Sequence, residues 1–171
     1  KIYIAFHQVD KAEHFFLRAI NYESDSSNQP LQQRAQSNLA RFYINQERYD
    51  DAQQICIRNV QKIKETQGET HIDTLVAQQD LAILYMQQER FQEAMTVGQK
   101  TLRQCKEALG ASHPLTISIL SLIGDILFSV EDYRGSMSIS QQVLQDRTTL
   151  LGKEHPSSLQ TLQHIAVLYL V

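Results

Sequence analysis

The stretch LAILYMQQERFQEA, from Leu81 to Ala94, repeats LARFYINQERYDDA, from Leu39 to Ala52, at a spacing of 42 residues. A weaker copy, IGDILFSVEDYRGS, runs from Ile123 to Ser136, again 42 residues on, and a fourth opens at Ile165 as IAVLYLV. A fixed period of this size is the signature of a solenoid. Each short unit buries its apolar surface against its neighbours rather than around one central core.

The punctuation keeps the same period. Gly68, Gly110 and Gly152 recur with His71, His113 and His155, and Pro114 recurs at Pro156. Glycine suits the left-handed residue that ends a helix, and proline pre-sets the first turn of the next. Each unit therefore reads as helix, short turn (Gln88–Arg90, Val130–Asp132), helix and longer loop. In Leu75–Gln88 the apolar residues Leu75, Leu81, Ala82, Leu84 and Tyr85 fall at helical spacing. The second helix opens on an aromatic residue (Tyr49, Phe91, Tyr133), and three positions on lies a small residue (Ala52, Ala94, Ser136) where two backbones can approach closely.

Helices are expected near 1–6, 8–21, 30–46, 49–66, 72–88, 91–109, 114–130, 133–150 and 156–171. The N-terminal segment joins the array with a slip, since Asp10-Lys11-Ala12 matches Asp50-Asp51-Ala52 at a spacing of 40 residues. The slip falls in the polar stretch Asn21–Pro30, expected to be a solvated loop, with Ser24, Ser26 and Ser27 as conceivable phosphorylation sites. The expected domain is a single one over residues 1–171, with units near 1–29 (partial), 30–71, 72–113, 114–155 and 156–171 (partial). The first residue is not Met, and both end units are incomplete by the period. Further repeats, or a partner covering the ends, are therefore expected, the chain being part of a larger one or of a complex.

Bulk properties exclude several classes. The net charge of −3 argues against a nucleic-acid or anionic-membrane partner. No apolar run reaches about 18 residues, so membrane insertion is not expected. The two cysteines, Cys56 and Cys105, read as free thiols of a reducing, cytoplasmic compartment. No Cys/His spacing supports a metal. His71, His113 and His155 lie one per unit, displaced by roughly the ~10 Å of helix packing, too far to share an ion with bonds of about 2 Å. They read as loop residues that hydrogen-bond or cap the next helix. No nucleophile triad or phosphate loop is present, so neither a catalytic function nor a cofactor is expected.

Leu39, Ala40, Tyr43 and Ala52, then Leu81, Ala82, Tyr85 and Ala94, with Ile123, Gly124, Leu127 and Ser136 as a weaker set, resemble the tetratricopeptide repeat (TPR). The long unit is similar to the repeats of kinesin light chains and of the tails of some signalling NTPases. The last pattern positions of the second helix drift, with Cys56, Gly98 and Ser140 where a large apolar residue is usual. The resemblance implies an all-α, right-handed α-α superhelix of about four helix-turn-helix repeats, truncated at both ends, whose first helices line a concave groove.

On that reading the groove presents Arg34, Ser37, Asn38, Arg41 and Asn45 in one unit, and Val76, Gln79, Ile83, Met86 and Gln87 in the next. Ser118, Ser121, Asp125, Phe128 and Ser129 follow, then Gln160, Gln163 and Val167. Arg34, Asn38 and Arg41 share a helical face and could hold a carboxylate or phosphate through forked hydrogen bonds. Ile83, Met86 and Phe128 could floor an apolar subsite. The chaperone-type carboxylate clamp is not expected, because Asp80 and Ser118 occupy positions where it needs Asn and a base. The leading expectation is a non-enzymatic protein-interaction module binding a peptide or helical segment of a partner. The alternatives are a scaffold subunit of a large assembly, or the sensor tail of a larger signalling ATPase.

Overall fold

The computed structural model describes residues 2–21 and 29–171, with side chains over 9–21 and 31–171. Most of the polar stretch Asn21–Pro30, including Ser24, Ser26 and Ser27, lies outside the described residues. The chain forms two compact units, Lys1–Glu69 and Thr70–Val171. The first holds α1 (Ile2–Asn21), α2 (Gln29–Asn45) and α3 (Tyr49–Gln67). The second holds α4 (Ile72–Gln87), α5 (Phe91–Leu109), α6 (Pro114–Ser129), α7 (Tyr133–Leu151) and α8 (Pro156–Leu168). Within each unit, successive helices pack on one another.

One expectation fails at the start. The segment read as two helices, 1–6 and 8–21, is the single helix α1. The position equivalent to Glu47 is His7, and the residues around it (Phe6-His7-Gln8-Val9) lack the Gln-Glu-Arg sequence that turns the chain elsewhere.

The short turns owe their shape to one left-handed residue each. Glu47, Glu89 and Glu131 have φ of 59°, 59° and 64°. The N–H after each donates back across the turn, Arg48 to the carbonyl of Tyr43, Arg90 to Tyr85 and Asp132 to Leu127, all at 2.9 Å. The glutamate N–H itself donates to Ile44, Met86 or Phe128 at 3.0 Å. This is the Schellman arrangement, which satisfies the last carbonyls of the first helix, here closed on glutamate rather than glycine. The glycines do something else. Gly68, Gly110 and Gly152 have φ near 97°, 91° and 94° but ψ of 165°, 161° and 160°, a region open essentially to glycine alone. They are not the ordinary left-handed helix stop expected from sequence.

Beyond each glycine the histidine caps the next helix. Nδ1 of His71, His113 and His155 accepts from the N–H of Asp73, Leu115 and Ser157 at 3.2, 3.1 and 3.2 Å. The Thr116 and Ser158 hydroxyls donate back to the carbonyls of Gly110 and Gly152. Ala52, Ala94 and Ser136 are fully buried, as close helix approach requires. In Lys1–Glu69, Leu39, Ala40, Ile44, Cys56 and Ile63 are buried, and Phe16 of α1 packs against Phe42. Glu13 of α1 accepts from the Tyr43 hydroxyl at 2.7 Å and from Arg48 at 2.8 Å. These two bonds hold its carboxyl below the usual range, while burial and Glu13 push the Tyr43 phenol up to about 12. In Thr70–Val171, one cluster joins Leu75, Cys105, Ile119 and Ile123, and a second joins Ala82, Ala94, Leu122 and Ile126. Burial pushes the Cys105 thiol up to about 11, so it packs as a small apolar side chain.

Two substitutions test the punctuation. His113→Ala is expected to cost about 1 kcal/mol, lowering the melting temperature by about 2–4 °C, and His113→Asn to restore most of it. Glu131→Gly relieves a Cβ in a left-handed residue, worth about 1–2 kcal/mol, against glycine's extra chain entropy of about 0.5–1 kcal/mol. It is therefore expected to stabilise slightly, read as a higher denaturation midpoint.

Candidate functional site

Within Thr70–Val171, the α4 and α6 backbones approach each other closely, whereas α6 and α8 meet only through side chains. The space left holds a cavity of about 330 Å³. Its walls are Gln79, Ile83 and Met86 of α4, Ser118, Ser121, Leu122 and Asp125 of α6, and Gln160, Thr161 and His164 of α8. Ser140, Val143 and Arg147 of α7 complete it. Ser140 and Val143 are buried, so the second helix supplies part of the lining where its apolar side chains give out.

The repeat explains that gap. Ser140 takes the place of Gly98 and Cys56, and Arg147 that of Cys105 and Ile63, both buried. A position that is core elsewhere carries a guanidinium here. Arg147 Nη1 donates to the Ser157 carbonyl at 3.1 Å and to Thr161 Oγ1 at 2.7 Å, tying α7 to α8. Its Nε and Nη2 make no hydrogen bond to a described residue. Burial lowers the Arg147 pKa against the opposing pull of Asp125.

Asp125 sits on the α6 wall with 48% of its side chain exposed. Enough protein surrounds it that desolvation raises its pKa, with His164 and Arg147 acting the other way. His164 Nδ1 lies 3.7 Å from Asp125 Oδ1. Ser136 Oγ donates to the Gly124 carbonyl at 2.9 Å and lies 3.2 Å from His164 Nε2. His164 thus stands between Ser136 and Asp125, and it forms an ion pair with the carboxylate only when its ring is protonated. Phe128 packs edge-on to the same ring at 5.4 Å and against Tyr133 at 5.6 Å. Between α4 and α6, Gln79 Nε2 donates to Ser118 Oγ at 2.7 Å.

Of the residues expected in a groove, the cavity thus gathers Gln79, Ile83, Met86, Ser121 and Asp125, with Ser118 and Gln160. Val76 and Phe128 do not line it. Arg34, Ser37, Asn38, Arg41 and Asn45 lie on α2 in the other unit. Arg34, Asn38, Arg41 and Asn45 are exposed there, and the Ser37 hydroxyl accepts from Asn59 of α3 at 2.9 Å. Sequence reasoning missed Ser140, Val143, Arg147, Thr161 and His164. The signal was present in Ser140 and Arg147, polar residues in apolar slots of the period. Among the described residues, no group of three or more His, Cys, Asp or Glu is placed to hold a metal, and no helix is long and apolar enough to cross a membrane.

The tetratricopeptide repeat pattern matches residues 31–107 and, in a second register, 81–145, together more than half of the chain. The chain belongs to the tetratricopeptide repeat family. Solved structures agree on the fold. The TPR-like repeats of a Podosopora anserina protein assigned as a kinesin light chain superpose with a TM-score of 0.74 at 23% identity, covering 80% of this chain and 64% of that one. A point variant of that protein gives 0.72 at 22% identity, covering 98% and 80%. BtubC (BKLC) from P. vanneervenii gives 0.73 at 20% identity, covering 92% and 62%. The chain thus spans just under two thirds of the length of the first and third of these. No curated protein matches it. As a TPR protein it carries the architecture of a protein-interaction or scaffold module.

Because Asp125 has a raised pKa, its ionisation costs stability. That cost is absent below the ordinary aspartate range and appears as pH rises through the folded-state value. Asp125→Asn is accordingly expected to raise the melting temperature at pH 7, with the difference from wild type closing near about pH 3. A gain that persists in acid would locate the effect elsewhere.

Proposed function

We propose that the chain is a non-enzymatic adaptor that binds an extended or helical segment of a partner protein, and that the cavity of Thr70–Val171 receives part of it. The supporting observation is the cavity itself. About 330 Å³, it sets Ile83, Met86, Leu122 and Val143 beside hydroxyl, amide and charged groups from four helices. An apolar patch supplies area, and convergent polar groups supply orientation. In Lys1–Glu69, Arg34, Asn38 and Arg41 share an exposed face of α2 and form a second, polar anchor in this reading. A scaffold role in a larger assembly is the second reading. It is favoured by the large apolar residues Leu159, Leu162 and Val167 exposed on α8.

The test uses peptides enriched on the whole protein from a random display library. Ser121 is half-buried on the cavity wall, and Ser121→Trp is expected to fill the space. The variant is expected to keep its circular dichroism and to bind the enriched peptides at least tenfold more weakly, about 1.4 kcal/mol. Peptides that bind it as tightly as wild type would place the site off the cavity. Arg34→Glu with Arg41→Glu tests the α2 anchor in the same assay, and unchanged binding removes it.

A further inference from the structure

The cavity holds two opposite charges that do not meet. Asp125 and Arg147 act on each other at a distance, yet no ion pair joins them. The reason is geometric. Arg147 is tethered by Nη1 to Ser157 and Thr161 on α8, while Asp125 stands on α6. Neither charge is otherwise satisfied. Arg147 keeps Nε and Nη2 without a protein partner among the described residues. The Asp125 carboxylate makes no hydrogen bond to a described residue, and His164 Nδ1 lies 3.7 Å from it. Two partly desolvated charges that form no ion pair with each other are unfavourable in the unbound chain. They become favourable against a ligand carrying the complementary pair at a matching separation.

The surroundings differ at the two poles. Ser121 lies one helical turn before Asp125 on α6, and Ile83 and Met86 of α4 line the same cavity, which suits the aliphatic stem and hydrogen-bonding head of a basic side chain. At the other pole, Arg147 offers a planar pair of donors, which suits a carboxylate.

We infer that the cavity selects a partner segment carrying both a basic and an acidic side chain, the basic one docking on Asp125 and the carboxylate on Arg147. The inference rests on the partner-segment reading and adds the segment's charge order. Requiring both signs would exclude segments that carry one alone, since the unmatched pole would then be buried without a partner.

The experiment pans a random library of peptides about a dozen residues long on the wild-type protein, on Asp125→Asn and on Arg147→Gln, with folding checked by thermal melting. Peptides enriched on wild type are expected to carry a Lys or Arg together with an Asp or Glu. Asp125→Asn should relax only the basic requirement, and Arg147→Gln only the acidic one. In a selected peptide, replacing its basic residue by Gln should weaken binding to wild type at least fivefold and leave binding to Asp125→Asn nearly unchanged, the coupling of a double-mutant cycle. Should Arg147→Gln not fold, that cycle on Asp125 decides alone. Enriched peptides without a basic residue, or an equal loss on both proteins, overturn the inference. Enrichment blocked by Ser121→Trp but indifferent to charge overturns it and leaves the partner-segment reading standing. No enrichment on wild type overturns both.

Discussion

Close approach of paired helices is the constraint on which the rest depends. Ala52, Ala94 and Ser136 are fully buried near the starts of α3, α5 and α7. A larger side chain at any of them would push its helix off the partner and open the apolar seam. The approach also needs a turn tight enough to bring the second helix straight back, hence the left-handed Glu47, Glu89 and Glu131 and the carbonyl bonds around them. Where that turn sequence is missing, at His7, α1 runs through as one helix. Presence and absence of one local motif thus decide whether a given length of chain becomes one helix or two.

Much of this was legible because the motif repeats. Periodicity turns a weak local preference into a strong one, since three copies of Gln-Glu-Arg or Val-Glu-Asp at equal spacing have few readings other than turns. The aromatic openings at Tyr49, Phe91 and Tyr133 coincide with the observed helix starts. The histidines likewise cap α4, α6 and α8. What the sequence did not disclose is backbone geometry. Glycine advertises freedom without saying which forbidden region it occupies, and Gly68, Gly110 and Gly152 take an extended positive-φ conformation rather than the helical one. Glutamate, with no such reputation, occupies the left-handed position instead.

The candidate site was half legible for a related reason. Residues on first helices were assigned to a groove through the resemblance to the tetratricopeptide repeat, and Gln79, Ile83, Met86, Ser121 and Asp125 do meet around one cavity. Arg147 and Ser140 were overlooked because a second helix is expected to point its apolar slots inward and fill them. The departure from the period at those slots carried the information. Comparing each slot with its equivalents, Ile63 and Cys105 for Arg147, would have marked the residue that cannot be there for packing.

A repeat protein separates these two kinds of information more cleanly than a single-core fold does. Residues identical across units serve the contact that every unit makes, so they report on stacking and not on ligand. A residue that breaks the period must be tolerated by its own unit alone, and the loss of stability it causes stays local because each unit contacts only its neighbours. Arg147 meets that condition through its bonds to Ser157 and Thr161, which replace with α7–α8 hydrogen bonds some of the packing that an apolar side chain would have given. Asp125 sits where every unit differs (Arg41, Ile83, Val167) and remains part-desolvated, with no hydrogen bond to its carboxylate from a described residue. A charge left so poorly compensated is hard to account for as architecture, and strain of this kind is expected where binding rather than folding sets the residue. The departures from the period, more than the period itself, therefore locate where this module differs from others of its fold.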